Sequence, residues 1–204
     1  MVQSKTTSRN KPDFSDLLGP RLKEGAFIAL IATALFLTLA LISFDRNDPG
    51  WTYTGSDETV NNIVGLSGAW IADVFLFFFG FLSYLFPMML ASQAWTIFRE
   101  RETETEFNWP VFIFRGVGLF LTVGAGTAIA AMHFYVSGVD YQYGSGGIIG
   151  SEIADLLIPV FSYVGATLFL VAMFLFGLTA FLDISWLRVM DVMGRLFIER
   201  AARA

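Results

Sequence analysis

Ionisable and nucleophilic groups are sparse in this 204-residue chain, and where they stand limits the chemistry open to it. His133 sits near the end of a long apolar run, and with no second histidine and no cysteine it cannot complete a zinc-type site. A carboxylate in the middle of such a run would mark an ion or proton path, but Asp73, Asp155 and Asp183 fall at the edges of runs and read as solvated caps. Gly144, Gly146, Gly147 and Gly150 have the composition of a phosphate-cradling loop. They follow no strand pattern, and none of the three lysines, Lys5, Lys11 and Lys23, comes after a glycine. No nucleophile is accompanied by a base and an orienting acid. The expectation is a chain with no catalytic, metal or cofactor-binding residues.

The elements that hold these residues are apolar. Hydrophobic residues make up 55% of the chain and gather in four runs, at about 25–44, 74–98, 116–136 and 156–182. A hydrocarbon core of about 30 Å needs roughly 20 helical residues, so each run is long enough to cross it. Helices apolar all round over that length need lipid on one side, which makes the fold class all-α integral membrane, with four spans in a domain over 24–182. The first run is too long for a cleaved signal peptide and ends in Ser43, Phe44, Asp45, so it reads as an uncleaved anchor.

Orientation follows from charge. Of 13 basic residues, all but Arg46 lie before the first run, between the second and third, or after the fourth, and the positive-inside rule makes that face cytoplasmic. Both termini are then cytoplasmic. The acidic run Glu100, Glu102, Glu104, Glu106 weighs little in that rule. The outer segments carry Asp45, Asp48, Asp57, Glu58, Asp73, Asp140, Glu152 and Asp155, a surface that disfavours anionic partners.

Residues 1–23 are polar, without hydrophobic period, and are expected to form a mobile tail. In the first outer loop Asp48, Pro49, Gly50 and Trp51 combine a turn signal with an aromatic suited to the headgroup level. Val60 to Trp70 reads as a short helix lying on the outer surface. Pro87 is expected to kink the second span by removing a backbone hydrogen bond. Thr122, Gly126 and Ala130 put small residues four apart on one face of span three, a packing surface that could serve within one chain or between chains. Beyond the fourth span, in 183–204, Trp186, Val189, Met190, Met193 and Phe197 face away from Arg188, Asp191, Arg195 and Glu199. That pattern suits an interfacial amphipathic helix or a helix packed on a following domain.

Gly65, Gly68, Ile71, Ala72, Asp73 and Val74 recur, 82 residues on, as Gly147, Gly150, Ile153, Ala154, Asp155 and Leu156. Either two apolar, glycine-rich stretches coincide by chance, or spans one and two repeat as spans three and four, two hairpins related by an axis along the membrane normal.

The chain resembles the N-terminal membrane domain of the FtsK/SpoIIIE family of bacterial DNA translocases. The residues that carry the resemblance are Asp48-Pro49-Gly50-Trp51, then Asn62-Ile63-Val64-Gly65 with Gly68, Ala69, Trp70, Ile71, Ala72 and Asp73, then Phe79-Gly80 with Tyr84 and Pro87. Gly146-Gly147-Ile148-Ile149-Gly150, Gly177-Leu178-Thr179 and Ser185-Trp186 extend it, so that it covers about 17–197. The resemblance implies a four-helix anchor at the division septum of the inner membrane, supporting other division proteins and coupling division to chromosome segregation. It implies a linker and a hexameric ATP- and Mg-dependent motor beyond this chain, with DNA contacted only there. Asp48, Pro49, Gly50, Trp51, Gly65, Gly68, Trp70, Asp73, Pro87, Gly147, Gly150, Asp155 and Trp186 are the structural or partner-facing candidates. A small four-helix channel or transporter is the rival reading, opposed by the lack of charge inside the spans.

Overall fold

A computed structural model describes residues 14–52, 54–55, 59–99, 109–134, 144–182 and 195. Among these the regular structure is helical: α1 (Phe14–Ile42), α2 (Gly65–Phe79), α3 (Leu85–Arg99), α4 (Trp109–His133) and α5 (Gly147–Leu182), with a 3₁₀ turn, Gly80–Tyr84, joining α2 to α3. Four stretches are long and apolar enough to cross a bilayer, Arg21–Ile42, Gly65–Arg99, Pro110–His133 and Gly147–Leu182. The all-α, four-span architecture expected from the runs is therefore present.

Two of these stretches are far longer than a crossing requires, at 35 and 36 residues, and both are broken. Gly80, at φ 53° and ψ −133°, ends α2; Ser162, at φ 59° and ψ 170°, interrupts α5. After each break, the 3₁₀ turn with 15-residue α3 in one case and residues 163–182 in the other, there remains about 30 Å of helix, enough for one crossing. The 15-residue helix α2 and the head of α5, residues 147–161, are each about 22 Å long and lie ahead of the true span.

Contacts show which way these leading segments run. Asn62, just before α2, donates through Nδ2 to the carbonyl of Ala40 near the C-terminal end of α1, at 2.8 Å. Tyr84, past the break, returns to the same place, its hydroxyl 3.2 Å from the carbonyl of Leu41. A straight helix would separate positions 62 and 84 by about 33 Å in depth. α2 instead crosses over α1, packing Ala72 and Leu76 on Ala40 and Leu41, and delivers the chain to the C-terminal end of α4. The head of α5 does the same on α4. Gly150 rests on the Thr127 main chain, and beyond the break the Tyr163 hydroxyl donates to the carbonyl of Met132 at 2.7 Å. α3 then descends along α1, and residues 163–182 descend along α4.

The 82-residue spacing recurs in the backbone. Gly65 and Gly147 both take positive φ, 74° and 63°, each with its N–H directed to the carbonyl three residues earlier, Asn62 and Gly144. Gly80 and Ser162, the two breaks, are also 82 apart. Chance likeness of two apolar stretches does not account for bends at matching positions.

Several expectations are corrected. The polar segment to residue 23 was expected to be a mobile tail, but α1 already includes residues 14–23, since extending an existing helix needs no new nucleus. The surface helix expected over Val60–Trp70 is α2, set later at Gly65–Phe79. Pro87 does not make the bend. It lies in the first turn of α3, where a missing N–H costs no helical bond, and the break precedes it at Gly80. The runs expected as spans from 74 and from 156 are each interrupted, at Gly80 and at Ser162. Residues 1–13, and of the expected amphipathic segment 183–204 all but Arg195, with Trp186 among them, lie outside the described residues.

Candidate functional site

The candidates converge on one end of the bundle, where α1 and α4 finish, in two linked layers. The first is the loop from Asp45 to Val64. Asp48 is 2% exposed and accepts from the main-chain N–H of Asn61 at 2.7 Å and of Asn62 at 2.8 Å, which fastens the two ends of the loop together. Asn62, itself buried, donates through Nδ2 to the carbonyls of Ala40 and Ser43 and accepts at Oδ1 from the Val64 N–H. It thereby caps the C-terminus of α1 and holds the turn into α2, satisfying carbonyls that would otherwise end in an apolar setting. Gly68 leaves room for this side chain, because a Cβ there would lie 3.1 Å from the Asn62 Cγ and closer still to its Oδ1.

Asp73 is not the solvated cap expected from its place at the edge of a run. It is 3% exposed and accepts from Thr52 twice, from the main-chain N–H at 2.6 Å and the hydroxyl at 2.7 Å. The loop that carries Thr52 passes directly over it, and a Cβ on Gly50 would come 2.6 Å from the Asp73 Oδ2. Glycine at 50 is thus required by the carboxylate beneath it. Pro49 packs under Gly55, and Trp51, between the two anchored positions, is turned outward at 60% exposure. Asp155, the repeat partner of Asp73, is exposed on the head of α5, so the two related aspartates sit in different surroundings.

The second layer joins the hairpins. The Phe81 N–H donates to the carbonyl of Ser145 at 2.8 Å, and a Cβ on Gly147 would lie 2.6 Å from the Phe78 carbonyl carbon and 2.7 Å from the Gly80 nitrogen. The break in the first hairpin therefore meets the start of α5 main chain to main chain. Ser145 caps α4 as Asn62 caps α1, its hydroxyl within reach of the carbonyls of Ala130 and Phe134. Deeper in, Gly118 and Gly177 bring α4 and α5 together, with a Cβ at either position 2.8 Å from the carbonyl oxygen of the other.

Between the 3₁₀ turn, α4 and α5 lies an apolar cleft of about 550 Å³, lined by Phe81, Leu82, Gly126, Ile129, Phe174 and, at its rim, His133. Ring nitrogens of His133 lie 3.2 Å from the carbonyl of Ile129 and 3.2 Å from the Thr167 hydroxyl. Among the described residues no group of three metal-ligating side chains forms. The contacts of the two layers fix a rigid surface at this end of the bundle.

Of the structural or partner-facing candidates, Asp48, Gly50, Gly65, Gly68, Asp73, Gly147 and Gly150 stand at this junction; Asn62, Gly80, Ser145 and Ser162 were not among them. Gly80 inside an unbroken aromatic run and Pro159 ahead of Ser162 were the available signals. Trp70 and Asp155 stand outside the junction, and Pro87 is buried below it.

Residues 20–194 match the family described as the 4TM region of DNA translocase FtsK/SpoIIIE. The chain belongs to that family. Among curated relatives, the DNA translocase FtsK of Pseudomonas syringae pv. syringae is 41% identical over 180 residues, 88% of this chain and 22% of the relative. That of Pseudomonas aeruginosa is 38% identical over 199 residues, 97% of this chain and 24% of the relative. That of Shewanella oneidensis is 34% identical over 174 residues, covering 85% and 19%. The chain thus spans about a fifth to a quarter of the length of these relatives. No solved structure matches it.

Proposed function

We propose that this chain is the membrane anchor of a septal DNA translocase. It holds the motor where the closing septum of the inner membrane meets the chromosome, and supports assembly of the division machinery. The observation that carries this reading is the family match across all four spans of a chain covering only a fraction of relatives named as DNA translocases. The chain itself is then not an enzyme and takes no cofactor; ATP, Mg and DNA belong to the motor part of the protein. The termini are cytoplasmic, in keeping with Arg21, Lys23, Arg99 and Arg115 at one end of the helices. Copies assemble as a homo-oligomer, a hexamer by family resemblance. The rigid loop bearing Trp51 is the part offered to division proteins on the outer side.

The test is localisation. The chain fused to a fluorescent protein and produced in a dividing Gram-negative cell is expected to concentrate in a band at midcell. Uniform fluorescence around the whole membrane, with intact protein, would overturn septal placement while leaving membrane anchoring in place.

A further inference from the structure

The two leading helices, α2 and the head of α5, have a feature the anchoring role does not require: each crosses the outer end of the bundle and leaves one apolar edge uncovered. We propose that together they form an interfacial collar embedded in the outer leaflet. Acyl chains lie against Leu66, Trp70, Leu156 and Val160, and water lies against Asp155.

Depth is the first argument. On α1 the last charge before the apolar stretch is Glu24, and on α4 it is Arg115. Going about 27 Å up from either, at 1.5 Å per residue, reaches Ile42 and His133, close to the far side of a hydrocarbon core of about 30 Å. α2 crosses α1 at Ala40 and Leu41, and the head of α5 crosses α4 at Thr127. Both crossings fall at or below that boundary, within the leaflet and not in the water above it.

Continuity with the lipid-facing surface is the second. Leu35, Leu39 and Ile42 form an exposed apolar stripe on α1. The stripe runs on without interruption, because the Ile63 N–H donates to the hydroxyl of Ser43, the residue after Ile42. From Ile63, 71% exposed, it continues to Leu66 and Trp70, one helical turn apart on α2. A surface that faces lipid along α1 has no step at which to stop facing lipid.

The third is the division of polarity on the head of α5. Leu156 and Val160 are exposed and four residues apart, with Glu152 one turn earlier on the same line, while Asp155 is exposed about 100° around the helix from Leu156 and about 140° from Val160. Gly147, Gly150 and Ala154 face the bundle. One edge inward, one edge acidic and one edge apolar is the pattern of a helix lying in the plane of an interface.

The proposal rests on membrane insertion of the chain, and the test separates the two. The whole chain is reconstituted in vesicles of phosphatidylcholine brominated on its acyl chains. Single-tryptophan variants retain Trp70 or, as a control, Trp95, which is exposed on α3 one turn before Arg99. In a tryptophan-free background, Leu156→Trp and Asp155→Trp report on the two edges of α5, and unchanged helical circular dichroism shows that each variant folds. The expected result is quenching of Trp70 and Leu156→Trp by bromolipid by about the same factor as Trp95, with Asp155→Trp quenched instead by aqueous iodide. Trp70 and Leu156→Trp insensitive to bromolipid while Trp95 is quenched would overturn the collar, and iodide sensitivity would then tell an aqueous edge from a protein-covered one. Loss of quenching at Trp95 as well would instead overturn insertion itself, and the collar with it.

Discussion

The main chain of Phe81 is hydrogen bonded to that of Ser145 across 2.8 Å, so the bend in one hairpin and the start of α5 in the other are fixed to each other without any side chain between them. A junction of this kind tolerates no added atoms, which makes its glycines testable in pairs.

Gly147 and Gly144 both have positive φ, 63° and 71°, but a Cβ at 147 would strike the Phe78 and Gly80 main chain, whereas nothing lies within 4 Å of one at 144. Alanine at either position carries the conformational cost of about 1 kcal/mol. Gly147→Ala adds the clash and is expected to cost about 2 kcal/mol more. Unfolding in mixed detergent measures both, and equal losses would mean that the hairpins do not touch there.

Ser162 is held at φ 59° and ψ 170°, a region that only glycine occupies freely. Ser162→Gly is therefore expected to stabilise the protein by about 1 kcal/mol, after the added flexibility of the unfolded chain is subtracted. A destabilised variant would indicate an unbroken helix through this position.

Asn62 and Asn61 are neighbours with opposite roles. The first buries an amide that caps α1; the second reaches an exposed carboxylate, Asp45. Asn62→Ala leaves the Ala40 and Ser43 carbonyls without that partner and is expected to lower stability by about 2 kcal/mol, against about 0.5 kcal/mol for Asn61→Ala. Thermal unfolding followed by circular dichroism distinguishes them.

Reporter fusions at Thr54 and Gly146 should behave as external, and those at Glu104 and Ala204 as cytoplasmic. A cytoplasmic signal from Gly146 would rule out four crossings. The purified chain should show no ATP binding by calorimetry, since no phosphate-binding sequence is present.

Hydropathy made the four crossings legible, but it could not show where the second and fourth begin. A 15-residue apolar helix lying across the bundle has the same composition as one standing in it. The run from Gly65 to Arg99, with Gly80 near its middle, carried that information, but in sequence it divides between a surface helix over Val60–Trp70 and a span over 74–98. The matching residues 82 apart were visible; the breaks at Gly80 and Ser162 were not, because Ser162 is an ordinary residue in an unusual conformation. Asp73 looked solvated because nothing in the local sequence reveals that Thr52, 21 residues earlier, folds over it.

The tie between Phe81 and Ser145 also sets an order of events. The first hairpin can be made as soon as α3 leaves the ribosome, yet the carbonyl that its bend bonds in the finished fold, that of Ser145, arrives about 64 residues after Phe81. The bend therefore makes this contact only when the second hairpin docks, which ties the finished shape of the earlier half to the arrival of the later one.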